Sequence, residues 1–229
     1  MVNEGQQGVM KVIFRNRIDA GQRLAIKLTS YANQSDCLVL ALPRGGVPVA
    51  VEIAQTLHLP LDICLVRKLG VPHHKELAMG AIGPKGIRVI NHNVVDWLKI
   101  TSDIIEEVTL VEAEELKRRD RVYRGDKPLP EIYQKTIILV DDGVATGSTI
   151  KAAIATLKEE KPHAIIIAVP VAPPTVYEEL AIEVDQIVCL EMPEKLHSIS
   201  LWYENFSQTT DQEVCDLLSK TMVLPDKLC

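Results

Sequence analysis

Short runs of branched apolar residues alternate along the chain with longer segments whose apolar positions recur every three or four residues. The runs at 37–42, 61–66, 137–140, 164–169 and 186–190 are almost free of polar residues. Uninterrupted runs of this length predict strands buried on both faces, as a parallel sheet requires. Helical spacing predicts helices over 18–31, 48–57, 102–124, from 150 through 157, over 174–182 and over 211–219. Ser102 and Asp103 offer N-caps to the longest of these, and Glu106 completes a capping-box pattern with Asp103. Residues 77–82 and 87–90 read as a hairpin around Gly83-Pro84-Lys85-Gly86, and residues 1–12 as a loose polar segment. Strands alternating with helices imply an α/β fold, a parallel sheet flanked by helices on both faces.

The chemistry gathers where predicted strands end. After 137–140 come two adjacent carboxylates, Asp141 and Asp142, then a turn of small residues that opens a helix. Backbone N–H groups and the positive end of a helix dipole suit an anion there. Gly147 permits close approach or positive φ, while Thr146, Ser148 and Thr149 add hydroxyls. Carboxylates repel phosphate, so the acids should face another part of the ligand, either sugar hydroxyls or a divalent metal. A second anion site follows 37–42, where Pro43-Arg44-Gly45-Gly46 precedes a helix. Arg67, Lys68, His73, His74 and Lys75 follow 61–66 as a basic segment, suited to phosphate or to an exposed loop. A Walker P-loop is excluded because no lysine follows Gly147, and no Gly-x-Gly-x-x-Gly is present.

Composition narrows the setting. The 229 residues suit one domain, and an apolar content of 47% can bury its core. A net charge of −6 argues against nucleic acid as the main partner. The five cysteines show no C-x-x-C spacing, and Cys37, Cys64 and Cys189 read as buried thiols. With no apolar signal core and no run near the ~18 residues of a membrane span, a soluble cytoplasmic protein is expected.

The run from Val140 to Thr149 resembles the phosphoribosyl-pyrophosphate motif of type I phosphoribosyltransferases. The segments Pro-Arg-Gly-Gly-Val-Pro-Val-Ala and Val-Arg-Lys-Leu-Gly are similar to those of bacterial predicted members of that family. The resemblance implies a Rossmann-like single domain over 1–229. Its core would span about 35–190, and its small hood about 191–206 with the N-terminal segment. It implies transfer of the 5-phosphoribosyl group of phosphoribosyl pyrophosphate to a nucleobase-like nitrogen, as in nucleotide salvage, by a pentosyltransferase acting with Mg²⁺. Asp141 and Asp142 would be the catalytic acids, holding ribose hydroxyls or the waters of the metal. Ala145, Thr146, Gly147, Ser148 and Thr149 would cradle the 5-phosphate. Arg44, Gly45 and Gly46 would take pyrophosphate across a cis Pro43–Arg44 bond, helped by Arg67 and Lys68.

In this family a flexible loop precedes the core strand, which makes Arg118 and Arg119, with Tyr123 and Arg124, candidates for closure; a solvated helix face is the alternative. The hood would grip the base through backbone and Leu196. Trp202, Tyr203 and Phe206 either stack on it or seal the edge of the core. A homodimer is expected. One departure is Ala145, where some purine-type members carry an aspartate, so the general acid or base stays unassigned. The competing reading is a regulator that binds phosphoribosyl pyrophosphate or a nucleotide without turnover.

Overall fold

A computed structural model describes residues 13–221; the polar segment 1–12 lies outside them. Five strands form one parallel sheet in the order β2-β1-β6-β7-β8. They are β1 (Cys37–Ala41), β2 (Leu61–Ile63), β6 (Thr136–Val140), β7 (Ala164–Val171) and β8 (Gln186–Glu191). Their side chains divide strictly by alternation. Val39, Ala41, Ile138, Val140, Ile166 and Ala168 pack on the face covered by α1 (Arg17–Lys27), α2 (Gly46–Leu57) and α7 (Asp211–Thr221). Leu38, Leu40, Ile137, Leu139, Ile165 and Ile167 pack on the opposite face, under α5 (Ser148–Glu159) and α6 (Pro174–Ala181). With both faces covered, the strands need apolar residues at every position, which is why they read as unbroken runs.

A second, antiparallel sheet joins β3 (Arg67–Val71), β4 (His74–Ile82) and β5 (Arg88–Ile90). The predicted hairpin is therefore two strands of a three-stranded sheet. The basic segment holding Arg67 and Lys68 is its third strand, not a loop. Leu69 and Val71 are buried in the core while the cationic positions are half-exposed, an alternation short enough to pass unnoticed in the sequence. After α3 (His92–Leu98), α4 (Ser102–Arg124) runs for 23 residues.

The capping box expected at the start of α4 does not form. Thr101 is the N-cap, without a side-chain cap bond, and Glu106 instead accepts from Arg88 at 2.7 Å. Asn16 does cap α1, accepting from the Asp19 N–H at 2.9 Å. Cys37 and Cys64 are buried as expected, whereas Cys189 is only half-buried.

Candidate active site

The centre of the large sheet is a switch point. β1 and β6 lie side by side, Ala41 opposite Val140, and the chain leaves them in opposite directions. A crevice opens outside two such carboxyl ends, and it is where open α/β sheets bind ligands. Both anion loops start there. The Leu42 N–H donates to the Val140 carbonyl at 2.9 Å, and the Gly46 N–H donates to the Leu42 carbonyl at 3.0 Å, which folds Pro43–Gly46 tightly into α2. The Pro43–Arg44 bond is cis, as the resemblance implies. Gly45 is in contact with the second loop: a Cβ there would lie 2.0 Å from Asp142 Oδ2. Only glycine fits.

The acid pair is held unequally. Asp142 is buried, and its Oδ2 accepts from Nε of Arg17 at 2.7 Å and meets Nη2 of the same residue at 2.7 Å. The Tyr203 hydroxyl donates to the Asp142 carbonyl at 2.7 Å. Asp141 Oδ1 accepts from the Asp142 N–H at 2.9 Å. Burial pushes the Asp141 carboxyl well above the usual carboxylate range, and the neighbouring Asp142 charge adds to it. Burial also raises Asp142, while Arg17 opposes that rise. The Arg17 cation grips Asp142 directly, so the two acids of one cradle sit in different electrostatic settings.

Next comes the cradle. Gly147 takes φ +74°, a left-handed conformation that suits glycine, and α5 begins at Ser148. The first N–H groups of an α-helix have no intrahelical partner, so this end presents donors. Thr146 Oγ1 and Ser148 Oγ lie 3.2 Å apart, and Ala145, Thr146 and Thr149 are exposed. The loop is open to solvent and shaped for an anion. Two cavities flank it. One of about 330 Å³ touches Thr146 and Ser148 beside β4 and β5. The other, about 810 Å³, touches Pro43, Thr149, Arg67, Lys68, His73 and Arg119. Ala152 lines both.

Carboxylates from outside the sheet engage several of the candidate cations. Arg67 donates through Nε to Glu112 at 2.6 Å. Arg44 turns its guanidinium to Asp211, 3.6 Å away at the start of α7, where the Tyr123 hydroxyl also donates at 2.5 Å. Arg118 and Arg119 each donate to Glu115 at 2.7 Å and hold its carboxyl down at about 2. These arginines sit on the last turns of α4, not on a loop, because Glu115 lies three and four residues before them and such pairs stabilise helices. Arg119 reaches the larger cavity, whereas Arg118 is exposed and lines neither cavity beside the cradle. Arg124 is structural: its side chain is 1% exposed and pairs with Asp62 at 2.9 Å.

Two of the C-terminal aromatics, Tyr203 and Phe206, pack at the edge of the core. Tyr203 is buried between Phe14 (ring centroids 5.3 Å apart) and Phe206 (5.0 Å), and Arg17 lies 3.9 Å over the Phe206 ring. Leu196 stands half-buried in the segment after β8. Arg17 escaped sequence reasoning, since 125 residues separate it from Asp142 and no spacing rule links them. Among the described residues no group of three or more His, Cys, Asp or Glu could hold a metal by itself. Nor is any helix of the described residues long and apolar enough to cross a membrane.

A parallel sheet with a small-residue loop, a glycine loop and an acid pair at its switch point defines an α/β protein whose crevice lies at the carboxyl ends of the central strands. The family model of the phosphoribosyl transferase domain matches residues 12–204, and the chain belongs to that family. A Mycobacterium tuberculosis protein, provisionally named a phosphoribosyl transferase and found in two strains, is 40% identical over 209 residues, or 91% of this chain. The chain spans about half the length of those relatives, 47%. The crystal structure of the Thermus thermophilus protein TT1426 is 35% identical, with a TM-score of 0.83 over 91% of this chain and 98% of that one.

Proposed function

We propose that the protein transfers the 5-phosphoribosyl group of phosphoribosyl pyrophosphate to a nucleobase-like nitrogen and releases pyrophosphate. The observation that carries this reading is the meeting of the two anion loops at the switch point, with Gly45 against Asp142 and the α5 cradle open beside them. A ligand with a phosphate at one end, hydroxyls in the middle and a pyrophosphate at the other suits that order of groups. Residues 145–149 bind the 5-phosphate. Asp141 and the remaining oxygen of Asp142 accept from the ribose hydroxyls. Once ionised, the pair favours an oxocarbenium-like ring as the bond from C1 to pyrophosphate breaks and the bond from C1 to nitrogen forms.

The N–H groups of Arg44 and Gly45 receive the pyrophosphate, since that of Gly46 is bonded to Leu42, with Arg67, Lys68 and Arg119 along the larger cavity and the Arg44 side chain behind the loop. Arg67 must release Glu112 to do so, which makes Glu112 a competitor of the incoming anion. Oxygen donors of this kind fit Mg²⁺, which keeps most of its waters and is held through one or two carboxylates plus substrate oxygens. When bound, it would neutralise pyrophosphate charge. The segment after β8, with Leu196 as its apolar side chain, forms a wall for the base.

Incubation with phosphoribosyl pyrophosphate, Mg²⁺ and a panel of nucleobases, following pyrophosphate release, tests the proposal. Release with one base supports it. Binding of phosphoribosyl pyrophosphate without release from any base supports the regulator reading.

A further inference from the structure

Arg17 reaches the acid pair from outside both motifs. It is the first residue of α1, only 9% exposed, and all three of its nitrogens are engaged. Nε and Nη2 converge on Asp142 Oδ2 at 2.7 Å, and Nη1 donates to the Ser207 carbonyl at 2.8 Å. Phe206 covers its flat face at 3.9 Å. A planar guanidinium engaged at all three nitrogens has little freedom left, and lysine cannot reproduce the fork. The carboxylate that it grips is confined in turn, with Tyr203 on the Asp142 carbonyl and the Gly45 backbone against Oδ2.

Asp142 is therefore a spacer between the hood and the pyrophosphate loop. Burying an ion pair costs desolvation that its attraction barely repays, so added stability is a weak account of the pair. Geometry is the better one. We propose that Arg17 is a positioning residue: by holding Asp142 against Gly45 it fixes the spacing between the pyrophosphate loop and the acid pair, and so the loop's fit to a pyrophosphate-bearing ligand. This deepens the proposed function and rests on it only for the identity of the ligand.

Two readouts on Arg17→Met and Arg17→Lys decide the matter. In the ligand-free protein, hydrogen exchange should quicken about tenfold in Arg17→Met at the Gly46 and Val47 N–H groups, which bond back to Leu42 and Arg44, and by less in Arg17→Lys. A change confined to α1 and residues 199–209, with 42–47 untouched, would show a merely structural pair and overturn the proposal. In titrations with phosphoribosyl pyrophosphate and Mg²⁺, Arg17→Met should bind about tenfold more weakly, and Arg17→Lys should recover part of the loss. Wild-type affinity in folded Arg17→Met would likewise overturn it.

Should Arg17→Met not fold, Arg17→Lys carries both readouts. Faster exchange at 42–47 then supports the proposal, and wild-type exchange there sinks it. If the wild-type protein does not bind phosphoribosyl pyrophosphate, the proposed function fails while the exchange readout still decides the role of Arg17.

Discussion

The acid pair after β6 and the basic stretch ending α4 look alike in the sequence, each a knot of charge near the same motif. In the fold they differ in kind. Asp142 finds its partner 125 residues away, in a buried contact that also touches a glycine loop and the Tyr203 hydroxyl. Arg118 and Arg119 find theirs within one turn of their own helix, at the surface. A charge partnered across the fold is fixed by topology. One partnered along its own helix is fixed by little, and can be redirected to a ligand. Arg124 joins the two cases, because it ends the same basic stretch, pairs with Asp120 one turn back on its own helix and, unlike Arg118 and Arg119, also pairs with Asp62 on β2.

The comparison breaks first at Arg124. Arg124→Met leaves Asp62 buried without its cation and should cost about 3–5 kcal/mol in urea unfolding, the usual scale for removing one partner of a buried pair. A loss no larger than that of a surface mutation would show that topology is not what fixes this charge.

The acid pair gives a smaller effect of opposite sign. The folded-state pKa of Asp141 is raised, so the folded protein holds the proton more tightly than the unfolded chain does. The associated stability is full below the unfolded pKa and is lost as pH rises through the raised folded one. Asp141→Asn carries no such cost. The variant should gain stability over the wild type as pH rises from 5 to 8. It should also lose turnover, the exchange of stability for function common at active sites. A variant no more stable at pH 8 than at pH 5, relative to wild type, would contradict the assignment.

The smallest effect belongs to Arg118. Arg118→Ala removes an exposed partner of Glu115 and should leave the melting temperature indistinguishable from wild type, since such pairs contribute little. A clear drop would mean that the end of α4 is held more firmly than its exposure suggests.

Much of this was legible before any coordinates. Unbroken apolar runs gave away the buried strands, because a sheet covered on both faces tolerates nothing else. The order of acid, small residue and hydroxyl from Asp141 to Thr149 marked the turn into α5, because that turn is made by local backbone geometry. What escaped was non-local or weakly patterned. β3 is five residues long with two cations, so it passed for a loop. The capping box failed because Arg88 competes for Glu106 from another element. Arg17 carried no signal at all, since its role exists only once α1 is laid against the end of β6.

The most direct test is a calorimetric titration of the wild-type protein with phosphoribosyl pyrophosphate, with and without Mg²⁺. Saturable one-site binding that strengthens with the metal is the predicted result. No binding in either condition would contradict the account of the two loops as one phosphoribosyl-pyrophosphate site.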